Sequence, residues 1–404
     1  MTMHAPQVHP TTERSALVDA LRGLALLSIA LANVPTGDAL KSTHYIFLNS
    51  QAINPILEAA KHILISTKFI TLFSILFGYG FYTQLNRATQ WGTSFRRYFT
   101  MRMLLLLIIG CLHAYLLWFG DIIRYYALCG MALLVFHQLS TRKLLITALV
   151  FMVPVTAILF ILNGLLELQR YSYDYTIPDR IIYETSYLNY LRDNFTIDPM
   201  VNFVQDSPIT FAACFGKILF GYWLGRISFF QQPQRFGRML KKWFWWGLSV
   251  GTFASVGYWA VSTGRLTLDL PLLWLPFVIA GGLVLHSLFY IAAFVRVFQT
   301  QRGKRVLLIF APLGKMALTN YLLQTVFYLL FFYAWPHAWP TSQRISLAEV
   351  YLLTLLFYGL QVLFSHWWLR YFSQGPVEFL WKKMAYRQLG PGDRPASQIS
   401  SIPS

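Results

Sequence analysis

GCLHAYLLWFGDIIRYYALCG, residues 110–130, is apolar on both sides of a Gly120-Asp121 pair, yet it carries a histidine, an aspartate and an arginine, His113, Asp121 and Arg124. Apolar sequence continues outward in both directions. It gives two candidate helices, 103–119 and 122–139, joined by a tight turn. Runs of about 18 residues suffice to cross a hydrocarbon core of ~30 Å. A helical hairpin in a bilayer is therefore expected. Charged groups inside such a hairpin are costly, which makes them functional candidates by default.

The rest of the chain fits this reading. Of its 404 residues, 56% are hydrophobic and only 12% charged, about half the charged share of a typical soluble domain. The mean hydropathy is +0.48. A transmembrane β-barrel would show alternating segments of about ten residues, and none is seen. The expected fold is an all-α polytopic membrane protein of about ten transmembrane helices. The spans are 16–34, 63–84, 103–119, 122–139, 144–163, 208–226, 243–262, 271–295, 306–334 and 347–369. Pro312 and Gly314 interrupt the ninth, so it is expected to begin with a half-helix or a re-entrant turn. Ala30-Leu31-Ala32 mimics a signal-peptidase site, but Asp19 and Arg22 precede it and the topology needs a retained helix.

Charge sets the orientation. The net charge of +17 is carried by alternate connections: Arg87, Arg96, Arg97 and Arg102; Arg142 and Lys143; Arg226 to Lys242; Arg296 to Arg305; and the Lys382-Lys383 region. Basic loops mark the cytoplasmic face and meet anionic lipid, so both termini are expected in the cytoplasm and nucleic acid is not an expected partner. The largest of the other connections, 164–207, holds seven of the sixteen acidic residues and is rich in tyrosine. It is expected to be an external cap of short amphipathic helices. The chain then divides into a five-helix half (1–163), the cap (164–207), a second five-helix half (208–388) and a disordered tail (389–404). No repeat relates the halves. Cys111, Cys129 and Cys214 lie in apolar segments without metal spacing and are expected to be packing residues; no metal is expected.

Further groups stand out. His113 falls about 16 Å along its span from Arg102. Asp121 and Arg124 are three apart on one helix face, and Asp121 also suits an N-cap. Asp19 and Arg22, followed by Gly23, share a face at the start of the first span, where an arginine can meet a phosphate or snorkel to headgroups. Asn33 ends that span near the depth of Asp121. Lys315, Thr319, Asn320 and Gln324 follow the Pro-Leu-Gly interruption; Lys315 suits an anionic group or snorkels to the headgroups, and the amides suit interhelical bonding. The segment 68–81, KFITLFSILFGYGF, has small residues for close helix packing. No HExxH, CxxC, Walker or GxSxG motif is present.

Five ordered stretches resemble the YeiB-like family (domain of unknown function 418): VDALRGLALLSIALAN, KFITLFSILFGYGF, GCLHAYLLWFGDIIRYYALCG, GKMALTNYLLQ and GPVEFLWKKMAY. That family is similar in turn to the transmembrane acyltransferases, including the acyltransferase-3 and heparan-α-glucosaminide N-acetyltransferase proteins. The shared mark is Asp-x-x-Arg-Gly, here Asp19, Arg22 and Gly23. The resemblance implies transfer of an acyl group from cytoplasmic acyl-CoA, acetyl-CoA first, to an extracytoplasmic acceptor such as a sugar or envelope glycan. It implies a bacterial inner-membrane location. This chain lacks the histidine that the acyltransferase-3 pattern places at the end of the first span. His44 sits roughly where the lysosomal relatives carry theirs, in different surroundings.

The expected catalytic group is His113 as base or acyl carrier, Asp121 as its orienter, and Arg124 or Asn33 as oxyanion donor. Asp19, Arg22, Gly23, Lys315 and Asn320 are the expected CoA-binding set. The bilayer, the acyl donor and the acceptor are the expected partners, with a homodimer left open. The alternatives are a transporter or channel for a small polar or anionic solute, and a receptor or scaffold acting through the tyrosine-rich cap.

Overall fold

In hydrocarbon every backbone N–H and C=O must be satisfied within the protein, and a helix does this within its own segment. In the computed structural model each of the ten apolar runs is accordingly helical over most of its length. The structure describes residues 11–33, 53–91, 95–167, 181, 184–198, 200, 207–263, 265–266, 273–333, 335–336 and 347–387. Helix α1 is Thr11–Asn33, α2 Ile53–Ala60, α3 Lys68–Trp91, α4 Phe95–Leu116 and α5 Ile123–Phe136. Helices α6 (Thr141–Val150) and α7 (Thr156–Glu167) are joined by a π turn at Phe151–Val155 that contains Pro154. Next come α8 (Tyr187–Thr196) and α9 (Ser207–Arg226). Helices α10 (Gly237–Trp246) and α11 (Thr252–Ser262) flank a second π turn, Gly247–Gly251. Then follow α12 (Leu275–Phe298), α13 (Gln301–Leu307), α14 (Ala311–Lys315), α15 (Ala317–Phe332), α16 (Leu347–Tyr371) and α17 (Pro376–Arg387).

The count of spans differs from the sequence expectation of about ten. Among the described residues six helical segments are long and apolar enough to cross a membrane, or seven if one bent pair counts as a span. They are Ala16–Asn33, Ile56–Asn86, Phe95–Leu116, Thr141–Leu162, Leu275–Phe298 and Leu347–Tyr371, with the bent pair Gln301–Lys315 and Ala317–Phe332. Three expected spans drop out for physical reasons. Helix α5 has 14 residues, about 21 Å at 1.5 Å per residue, short of a ~30 Å core. Helix α9 has the length, but Lys217 and four glycine, tyrosine or tryptophan positions after it dilute its apolar character. The run 243–262 is helical through its π turn, but its three glycines, three serines, Tyr258 and four tryptophans dilute its apolar character.

Helix α9 is instead a central packing element. Its contact with α3 is made backbone to backbone. A Cβ on Gly78 would lie 1.9 Å from the Ile218 carbonyl oxygen, and one on Gly221 would lie 1.8 Å from that of Ile75. The two glycines thus open matching seats on each other's helix, the small-residue packing that membrane helices use in place of a hydrophobic driving force. Ile75, Ile218 and Leu219 are fully buried around this crossing.

The ninth run is broken as expected. The pair of helices bends by 80° at Met316, and a bend leaves the first N–H groups of α15 without helical acceptors. Glu378 of α17 supplies them. Its carboxylate accepts from the Leu318 N–H (2.7 Å), the Thr319 N–H (3.1 Å) and the Thr319 hydroxyl (2.5 Å). Burial pushes the Glu378 carboxyl above its ordinary value, and these bonds partly oppose the shift.

Two tests follow from this packing. Gly221→Ala should destabilise the purified protein by about 1–3 kcal/mol through overpacking. Gly359→Ala, where a Cβ meets nothing within 4 Å, should leave the melting temperature in detergent unchanged or slightly raised. A carboxyl whose pKa is raised on folding contributes most below its unfolded value and less as pH rises through the folded one. The melting temperature of Glu378→Gln should therefore gain on wild type as pH increases from 4.5, whereas Glu378→Ala should melt lower throughout.

Candidate functional site

The hairpin of α4 and α5 builds the site. The last carbonyl-bonded turn of α4 closes on His113, whose carbonyl oxygen accepts from the Leu117 and Trp118 N–H groups at 2.9 and 2.8 Å. After the turn, Asp121 Oδ1 accepts the Arg124 N–H at 2.9 Å and so caps the first turn of α5. That cap aims the second carboxylate oxygen at the histidine: Asp121 Oδ2 lies 2.8 Å from His113 Nδ1. A carboxylate only accepts, so the network assigns the proton to Nδ1. Nε2 then faces the Thr325 hydroxyl of α15 at 2.9 Å. The result is a hydroxyl, an imidazole and a carboxylate in line, with Thr325, His113 and Asp121 only 5%, 2% and 3% exposed.

Arg124 holds the carboxylate side. Its Nε donates to Asp121 Oδ1 at 3.4 Å, and its two terminal nitrogens donate to Asp198 at 2.6 and 2.9 Å in a bidentate fork. The guanidinium lies 5.4 Å from the centre of the Tyr115 ring. Gly110 makes room for it, since a Cβ there would sit 2.8 Å from Arg124 Cγ.

Asp198 belongs to the segment expected to form the cap, and α8 in that segment closes the end of α4. Four carbonyls at a helix C-terminus lack intrahelical donors. Here Asn194 donates to the Ala114 and Tyr115 carbonyls at 2.5 and 3.3 Å, Tyr187 to Leu116 at 2.9 Å, and Tyr190 to Leu117. The Phe119 N–H returns a bond to Asn194 Oδ1 at 2.6 Å. The turn that carries Asp121 is thus clamped from outside its own hairpin.

Asn33 reaches the same neighbourhood. With Trp118, Thr325, Tyr328, Leu329 and Tyr333 it lines a cavity of about 10 Å³, on the order of the space one water requires. Thr325 is thus shared between this cavity and His113. Helix α1 is held here by bonds to its carbonyls: Tyr328 donates to Ala30 (2.6 Å), Gln324 to Leu26 (3.3 Å) and Tyr358 to Gly23 (2.8 Å).

The other expected residues gather at the opposite part of α1, around α14. Arg22 pairs with Asp19 at 3.3 Å and donates to the Leu76 carbonyl at 3.2 Å. A Cβ on Gly23 would lie 2.0 Å from the Phe310 carbonyl oxygen, and one on Gly314 1.8 Å from that of Asp19. Lys315, beside Gly314, is exposed. Asn320 is buried and donates to the Leu313 and Met316 carbonyls and to Ser365 at 3.4, 3.1 and 3.0 Å. The structure therefore makes two groups: His113, Asp121, Arg124 and Asn33 with Thr325 in one; Asp19, Arg22, Gly23, Lys315 and Asn320 around α14 in the other. Arg22 and Asn33 are eleven residues apart on α1, about 16 Å.

Sequence reasoning counted Asp198 only as one acid of the cap and passed over Thr325 and Asn194. They lie 74, 212 and 80 positions from the partners they bond, and no local pattern marks them. His44 and most of the cap's tyrosines lie outside the described residues. His286 is bonded to the Ser255 hydroxyl at 2.8 Å, and His366 to the Ile309 carbonyl at 2.8 Å.

A family profile described as "Protein of unknown function (DUF418)" matches residues 224–388. The chain is 30% identical over 402 residues to the uncharacterized protein YeiB of Escherichia coli, covering 94% of this chain and 98% of that protein. It is 29% identical over 412 residues to the uncharacterized protein YxaH of Bacillus subtilis, covering 94% and 96%. It is 26% identical over 388 residues to an uncharacterized 39.9 kDa protein encoded in the amylase 3' region of Bacillus acidopullulyticus, covering 94% and 96%. No solved structure matches it.

Removing one member of a buried ion pair leaves its partner charged and unpaired, at a cost of about 3–5 kcal/mol. Arg124→Gln should lower thermal stability in detergent on that scale. Arg124→Gln combined with Asp198→Asn should recover part of the loss, because it also removes an orphaned charge.

Proposed function

The chain belongs to the DUF418 family, and from that premise and the site geometry we propose that this multi-pass membrane protein is an acyltransferase with His113 as its general base. The observation that carries the reading is the buried alignment of the Thr325 hydroxyl, the His113 imidazole and the Asp121 carboxylate at 2.9 and 2.8 Å. A base hydrogen-bonded to a hydroxyl and oriented by a carboxylate is the arrangement that activates an oxygen nucleophile.

In this mechanism an acceptor hydroxyl takes the place of the Thr325 hydroxyl at His113 Nε2. The imidazole removes its proton as the oxygen attacks the thioester carbonyl of an acyl-CoA. A C–O bond forms, the C–S bond breaks, and the proton passes from the imidazolium to the leaving thiolate. Asp121 balances the imidazolium. Arg124, occupied by Asp121 and Asp198, acts as a positioning residue for that carboxylate. Asn33, at the cavity beside Thr325, is the candidate donor to the oxyanion. Arg22 and Lys315, near α14, are the candidate contacts for CoA phosphates, with Asp19, Gly23 and Asn320 shaping that end. Helix α1 carries both groups, about 16 Å apart, which suits a donor and an acceptor entering from opposite sides. The basic connections support a cytoplasmic donor side in a bacterial inner membrane, with a sugar or envelope glycan outside it as the acceptor.

The test is thiol release from acetyl-CoA and longer acyl-CoAs by the detergent-purified full chain, with a panel of sugars as acceptors. His113→Ala and Asp121→Asn should lower turnover by about 10²–10⁴-fold while leaving acyl-CoA binding intact, and Arg22→Ala should weaken binding. Absence of binding to every acyl-CoA would overturn the reading in favour of solute transport.

A further inference from the structure

A second site lies apart from the histidine. Helices α3, α7, α9, α11 and α12 enclose a cavity of about 480 Å³, within the size range of small-molecule pockets. Its walls are largely apolar, with Ile70, Met152, Phe160, Ile279, Leu283 and Val284 among them. It includes Ile122 but none of His113, Asp121 and Arg124.

One cation lines this cavity. Lys217 stands midway along α9, about 15 Å from either end at 1.5 Å per residue. Snorkelling serves lysines near helix ends, and Lys217 is flanked by the buried Phe215, Gly216 and Ile218. Among the described residues no hydrogen bond or ion pair reaches its ammonium, which lies against the cavity. An unpaired charge in apolar surroundings is costly unless a counter-charge arrives.

An independent feature marks the same cavity. Thr67, on its wall, has φ +70°, a left-handed conformation that is a genuine outlier for a β-branched residue. Its hydroxyl is buried without a partner. The conformation is held from both sides: Lys68 donates to the His62 carbonyl at 2.8 Å, and the Ser66 N–H to that of Lys61 at 2.8 Å. Strained residues kept in place this way concentrate at ligand sites. The Thr71 and Thr156 hydroxyls, also on the wall, already donate to backbone carbonyls at 2.8 and 2.7 Å. Lys217 is therefore the cation still open to a guest, with the strained Thr67 beside it on the wall.

We infer that this cavity binds a monoanionic amphiphile, its head group on Lys217 and its hydrocarbon chain along the apolar walls. A single ammonium selects a single negative charge: a neutral guest leaves it uncompensated, and a dianion carries an excess charge into the same apolar space. A fatty-acid carboxylate and the phosphodiester of a bilayer lipid share this chemistry. The site does not depend on acyl transfer at His113.

The experiment is equilibrium binding of tritiated palmitate to the full chain in neutral detergent, with phosphatidylglycerol and hexadecanol as competitors. Palmitate should saturate at one site per chain. Lys217→Met should weaken it at least tenfold, while melting no lower than wild type because an unpaired charge has been removed. Ala280→Phe, which keeps the lysine and fills the cavity, should also lose binding. Hexadecanol should compete poorly. Competition by phosphatidylglycerol at lower concentration than unlabelled palmitate would assign the head group to a bilayer lipid. Equal affinity in wild type and Lys217→Met, equal competition by hexadecanol, or no binding of either anion would overturn the inference.

Discussion

A guanidinium held between two carboxylates in an apolar interior is the constraint on which the site depends. Arg124 is 1% exposed, and its partners Asp121 and Asp198 are 3% and 1% exposed. Ions so buried persist only when every lone pair and proton finds a partner. Satisfying them ties three parts of the chain together: the end of α4, the start of α5 and the segment after α8. Asp121 is fixed by this demand before it meets His113, so the orientation of the imidazole follows from charge neutralisation. Gly110 and the clamp of α8 on the α4 carbonyls serve the same turn.

The same economy of backbone partners governs the opposite part of α1. A helix bent by 80° exposes N–H groups that hydrocarbon cannot satisfy. Glu378 reaches from α17 to take them, while glycines at positions 23 and 314 bring α1 and α14 into backbone contact. Side chains of α15 and α16 then bond the carbonyls of Gly23, Leu26 and Ala30. One helix thereby runs from the Arg22 group to the Asn33 cavity, supported along its length by polar bonds. The Lys217 cavity stands outside this system, and its ammonium, without an ion-pair partner among the described residues, contrasts with Arg124 between two carboxylates.

Much of this was legible in the residues. Apolar runs located the helices, since burial in lipid requires them. The Pro-Leu-Gly interruption located the bend. The spacing of His113, Asp121 and Arg124 foretold their proximity, because a tight turn and an i,i+3 step bring the three together locally. The number of spans was not legible. An apolar run of 18 residues reads alike whether its helix is apolar enough to cross, as in α16, or is diluted by glycine, serine and tryptophan, as at 243–262. Nor does hydropathy reveal that α5 stops at Phe136.

By itself the sequence determined an all-α membrane fold, its helix positions and the local triad of ionisable residues, all of which depend on periodicity and nearest-neighbour geometry. The tertiary structure alone decided that Thr325 completes the line through His113, that Asp198 neutralises Arg124, and that Glu378 caps α15. Each of those partners comes from a distant segment. Its selection depends on how buried donors and acceptors match in space, a requirement that leaves no periodic trace along the chain.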